Sequence, residues 1–186
     1  MTTGCLRRIL AGVLVACLAV SGIASAGDTG SGAYKLEGAW IAKVPGTAGQ
    51  WTYVMVPDPS GKTAAGHGSI DVGFVLGPAL VPDYQSPLLI HAAMTGPKTA
   101  VSTSVWYGIR RLSSPGPNGE NAEVVYIGTS HGTTTYVAPG KAVGLHALSF
   151  YLPAADADGD GLPDAGATPV AYVELPTEET RLPAPF

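Results

Sequence analysis

Cysteine is almost absent: Cys5 and Cys17 are the only two, and both precede residue 20. The chain beyond them has no disulfide to restrain its loops and no thiol to serve as nucleophile or metal ligand. Positive charge is scarce too. There are 10 Lys and Arg against 14 Asp and Glu, with no basic run and no interleaving of basic and aromatic residues, which argues against a nucleic-acid partner. No amphipathic helix longer than a turn can be traced, and no internal repeat of fixed period. Beyond the amino-terminal region no stretch approaches the roughly 18 apolar residues of a membrane-spanning helix. A Gly-x-Ser-x-Gly turn is missing, and outside one loop the acidic residues do not pair at a catalytic spacing, so no motif names an enzyme class.

What is present begins with a signal. Arg7 and Arg8 precede an apolar run from Ile9 to about Val20, and Ala24-Ser25-Ala26 then gives way to Gly27-Asp28. This is the pattern of a secretory signal peptide over residues 1–26. Its cleavage leaves 160 residues carrying 8 Lys and Arg against 14 Asp and Glu, a net charge of −6. Leu14-Val15-Ala16-Cys17 resembles the lipobox of bacterial lipoproteins, which implies an acylated Cys17 and a membrane anchor. The apolar Leu18-Ala19-Val20 that follows, where a polar tether is usual, favours plain cleavage. The expected location is secreted or periplasmic, with anchorage at Cys17 as the alternative.

After a Gly/Ser-rich leader, residues 27–35, the apolar residues fall into period two. Strands are expected at Glu37 to Val44, Trp51 to Val56, Gly68 to Leu76, Leu88 to Thr95, Ala100 to Leu112, Glu123 to Thr129, Thr133 to Val137, Gly144 to Leu152 and Pro169 to Leu175. A Pro-rich tail is expected over 177–186. Gly and Pro make up 41 of 186 residues, which fits many turns between short strands. Eight or nine antiparallel strands over 36–176 leave a closed barrel or a two-sheet sandwich. Long strands and the removal of exposed edges favour the barrel. Leu36-Glu37-Gly38-Ala39-Trp40 resembles the Gly-x-Trp opening of lipocalins, which implies a tryptophan closing one barrel end.

One loop carries definite chemistry. Asp156-Ala157-Asp158-Gly159-Asp160-Gly161-Leu162-Pro163-Asp164 puts four carboxylates in nine residues, and like charges so close repel unless a hard cation lies among them. The loop resembles those of EF-hand-like and thrombospondin type 3 calcium repeats. The resemblance implies ligands from Asp156, Asp158, Asp160, the Leu162 carbonyl and Asp164, with Gly161 at the sharp turn. Ala167 stands where such loops carry a bidentate Glu, and Glu174 is the nearest replacement. Affinity is therefore expected in the weak range of about 10⁻⁴ to 10⁻³ M, suited to a structural calcium site.

The four histidines, His67, His91, His131 and His146, lack the short spacing of a zinc site. His146 shares a strand face with Leu148 and Phe150, and His91 shares one with Leu89 and Ala93, so both are candidates to line a barrel. Trp106 and Arg110 join them as candidate ligand-binding residues. The segment from Trp51 to Lys62 and the acidic loop also resemble blocks of uncharacterised exported bacterial proteins, which implies no activity. The expectation is an exported bacterial binding or envelope-associated module with one weak structural calcium site. Two alternatives stand beside it: a lipocalin-like carrier of a small apolar ligand, and an enzyme with a His-containing site in the lumen. Two or more histidines beside Asp71 or Arg110 would favour the enzyme.

Overall fold

Alternation of inward-facing and outward-facing residues builds nine strands in the computed structural model, which describes residues 34–71, 76 and 80–183. They are β1 (Gly38–Lys43), β2 (Gln50–Pro57), β3 (Thr63–Asp71), β4 (Tyr84–Gln85), β5 (Leu88–Met94), β6 (Thr99–Arg111), β7 (Ala122–Ala138), β8 (Lys141–Tyr151) and β9 (Ala171–Arg181). All pairings are antiparallel. The order β6-β5-β3-β2-β1-β9-β8-β7 returns to β6, so eight strands close a barrel and no edge of that sheet is left free. The two-residue β4 lies outside the ring and extends the β5 side of β6 through Tyr84 and Gln85. The barrel, and not the sandwich, is therefore the fold. The signal, Cys17 and nearly all of the leader lie outside the described residues, as do Val72 and Phe74 of the expected third strand.

Ladder lengths around the ring are unequal. The β6 and β7 strands share thirteen paired positions with one irregularity at Gly108/Ile109. The seam between β1 and β9 has only four, from Trp40 opposite Arg181 to Lys43 opposite Glu178.

Three expectations about extent are revised. The segments read as separate strands at Glu123 to Thr129 and Thr133 to Val137 are one strand, because Ser130, His131 and Gly132 keep the pairing with β6 and β8. The third strand begins earlier, at Thr63, where Gly66 and Gly68 lie against the backbone of β2. The last strand runs on through Pro176 to Arg181, into the stretch expected as tail. Pro176 is tolerated because β9 pairs there with β8 alone; β1 joins it only from Glu178.

The interior is two stacked clusters. One gathers Trp51, Ile70, Leu88, Trp106, Tyr126, Leu148 and Phe150; the other gathers Leu36, Trp40, Met55, Ala64, Ala92, Ala100 and Tyr136. Large rings fit because the neighbouring strand offers glycine at the same level. A Cβ on Gly128 would overlap the Trp106 indole, and one on Gly108 would overlap the Tyr126 ring. Trp106 and Tyr126 then meet Phe150 edge-on, with ring centroids 5.7 and 5.3 Å apart, in the geometry aromatic quadrupoles favour.

Candidate functional site

Between the two clusters lies a cavity with about 60 Å³ open to the centre of a water molecule, room for a few waters or a ligand of a few heavy atoms. Its walls differ chemically because each pair of strands contributes its own inward residues. Strands β1 and β2 give Trp40, Trp51 and Tyr53. Directly across the ring, β6 and β7 give Ser102, Ser104, Ser130 and Thr134. On one flank β8 and β9 give His146 and Glu179; on the other, β3 and β5 give Ile70, Leu88, Ile90 and Ala92. The lumen is thus aromatic, hydroxylic, acidic and aliphatic on four sides.

Glu179, 2% exposed, organises the acidic flank. Its Oε2 accepts from the Tyr53 hydroxyl at 2.7 Å, and its Oε1 lies 3.0 Å from His146 Nε2 and accepts from Thr177 at 3.0 Å and Thr134 at 3.4 Å. Burial alone would raise this carboxyl. The bond and charge of His146, with the bonds from Tyr53 and Thr177, outweigh it and hold Glu179 below the usual carboxylate range. An ionised carboxylate only accepts, so His146 presents Nε2–H to it. The same field acts on two phenols. Burial, then the Glu179 charge, raises Tyr53 well above its ordinary value and Tyr136 up to about 12.

His146 fits because Gly132 and Gly144 are bare. It faces Gly132 across the β7–β8 ladder, which in turn faces Ser102 across β6–β7. The His146 ring nitrogen Nδ1 and the Ser102 hydroxyl both occupy the space a Cβ on Gly132 would take. Trp51 meets the imidazole edge-on at 5.2 Å between centroids. The hydroxyls of Ser102, Ser104 and Ser130 make no hydrogen bond to any described residue, and Trp40 Nε1 is a buried donor without a partner among them.

The other candidate ligand-binding residues are placed elsewhere. Trp106 points inward but is sealed in the core against Gly128 and Phe150, away from the cavity lining. His91 is outward and exposed: β5 turns Leu88, Ile90 and Ala92 inward, and Leu89 beside it on the outer face is 55% exposed. Leu89, His91 and Ala93 do share a face, as read from the sequence, but that face is the outside. Arg110, near the end of β6, lies 3.8 Å from Glu123. His67 and His131 are exposed as well, so His146 is the one histidine in the lumen. The lumen thus holds one of the two or more histidines that would favour the enzymatic alternative.

The residues missed from sequence are Tyr53, Thr177 and Glu179 with the serine wall. One signal pointed to Thr177 and Glu179: they continue the alternation begun by Leu175. Pro176 obscured it.

The acidic loop lies outside the barrel between β8 and β9, after a 3-10 turn at Pro153–Ala155. Oxygens of Asp156, Asp158 and Asp160 lie within 4.8 Å of one another. The backbone holds them there. Gly161 N–H donates to Asp156 Oδ2 at 3.0 Å, Asp160 N–H to Asp158 Oδ1 at 3.2 Å, and Leu162 N–H to Asp160 Oδ1 at 2.8 Å. Gly159 and Gly161 supply positive φ of 77° and 87°, which side chains disfavour. Asp156 Oδ1 is buried and has no partner among the described residues, an arrangement that costs free energy unless a cation meets it. Asp164 instead accepts from Ala157 N–H at 3.1 Å, and Glu174 accepts from Tyr172. The all-oxygen donor set fits calcium, with Asp156, Asp158 and Asp160 as its centre. Tyr107 pins the loop to β6 by donating to the Gly161 carbonyl at 2.9 Å.

Comparison with protein-family models, curated proteins and solved structures finds no match to this chain.

Proposed function

We propose that this is an exported binding module: a closed barrel that takes a small ligand into its lumen, with the β8–β9 loop held by a weak calcium ion. The observation that carries the reading is the divided lumen. Three serine hydroxyls open to the cavity have no partner among the described residues, opposite a wall of aromatic rings. A core selected for stability alone fills such space with aliphatic side chains, since buried polar groups stabilise only when bonded. A ligand with one polar and one apolar side satisfies both walls at once, whereas the purely apolar ligand of a lipocalin-like carrier leaves the serines unsatisfied.

Calcium is supported by the orphaned Asp156 oxygen and by the three-carboxylate cluster. Export rests on the residue pattern of 1–26 and is read directly from the amino terminus of the mature protein.

Filling the cavity tests the binding reading. Ser104→Leu puts an apolar side chain where the ligand would sit. Small amphipathic probes are expected to change tryptophan emission saturably in the unaltered chain, through Trp40 and Trp51, and to lose that effect in the variant. Equal responses in both proteins would place binding outside the lumen and withdraw the reading.

A further inference from the structure

We propose that the ligand of the lumen is a small organic ammonium ion, its nitrogen between Glu179 and the serine wall and its carbons against Trp40, Trp51 and Tyr53. The inference rests on the lumen being a binding site and narrows it to one chemical class.

Charge decides first. The lining contains one carboxylate, neither Lys nor Arg, and one imidazole, His146, whose Nε2 is already engaged by Glu179, so an anion would meet repulsion. Tyr53, Thr177 and Thr134 donate without bringing charge, so His146 is the one partner of Glu179 that offsets its charge, and it does so only when protonated. With the imidazole neutral, the buried carboxylate gives the lumen a field that favours a cation.

Hydrogen bonding decides next. Serine and threonine oxygens accept, and an ammonium N–H is a donor with no acceptor of its own, so Ser102, Ser104 and Ser130 suit it. The aromatic side completes the match. Trp40 and Tyr53 lie stacked at 6.4 Å with planes 7° apart, and Trp40 meets Tyr136 edge-on at 5.8 Å. Trp40, Trp51, Tyr53 and Tyr136 all line the cavity, and the negative potential of aromatic rings attracts a desolvated alkylammonium beside them. Size sets the limit. About 60 Å³ admits a nitrogen with only a few carbons and excludes anything as long as a fatty acid.

The experiment uses the exported chain and a charge series at constant ionic strength: methylammonium and trimethylammonium as cations, tert-butanol as a neutral compact molecule, acetate as an anion. Tryptophan emission and the thermal midpoint are both read. The cations are expected to bind in the millimolar range typical of so few atoms, with a preference over tert-butanol of about tenfold or more. Acetate is expected not to bind. Glu179→Gln should erase the preference; because that change also weakens the fold, the series on the unaltered chain decides by itself. If tert-butanol binds as tightly as the cations, the ammonium assignment falls and the lumen remains a binding site. If no member of the series alters emission or midpoint, both readings fall.

Discussion

Glu179 shows how much depends on one side chain here. It sits in the lumen between His146 and Tyr53, and its carboxyl is held below the ordinary value near 4.5. A carboxyl depressed in the folded chain contributes stability that is fully present above its unfolded value and is lost as pH falls through the folded one. Acid unfolding should therefore steepen below about pH 4.5, and Glu179→Gln should flatten that limb while lowering stability at neutral pH by about 1–3 kcal/mol. Urea midpoints from pH 3 to 7 check both. An unchanged acid limb in the variant would mean that other carboxylates carry it. At this scale the sequence was least legible. Gly132 looks like a break between two strands when met in a row of letters, and only the register shows that it is bare because the His146 ring from β8 fills its place, as the Trp106 ring from β6 fills the place beside Gly128.

Strands and loops were easier to read than side chains. Alternation located five of the eight ring strands closely, β1, β2, β5, β6 and β8, because period two is a local property of the chain. What alternation does not give is phase. Leu89-Ile90-His91 permits either face inward, and the structure turns Ile90 in and His91 out. The acidic loop was legible for the opposite reason: its candidate ligands lie within nine residues, so the spacing nearly is the geometry. Its docking was not legible, since Tyr107 is 54 residues away from Gly161 in sequence. A calcium-dependent rise in thermal midpoint is expected, abolished by Asp158→Ala. At ten to a hundred times the dissociation constant it corresponds to about 1.4–2.7 kcal/mol. Tyr107→Phe removes one hydrogen bond from the loop and should weaken calcium by about two- to tenfold without abolishing it. Chelator titration separates the two variants, and a midpoint indifferent to calcium in all three proteins would reduce the loop to an acidic turn.

Across the whole molecule the lumen is a long-range object. Its walls come from β1, β2, β3, β5, β6, β7, β8 and β9, and no window of the sequence contains more than a fraction of it. That is why the barrel could be inferred from strand number and length while the site inside it could not. The ring closes only when Trp40 meets Arg181, across a separation that makes the contact entropically costly. With four paired positions this is the shortest ladder in the ring, and local opening should begin there. Amide hydrogen exchange is expected to be faster in Ile41 and Thr180 than in the β6–β7 ladder, and equal protection would indicate that the ring opens only by global unfolding. Trp40 and Glu179 stand on either side of the same four-residue seam. If the seam opens first, the part of the wall on which the proposed ligand rests is also the part that yields most easily, and a barrel closed at every strand still has a door.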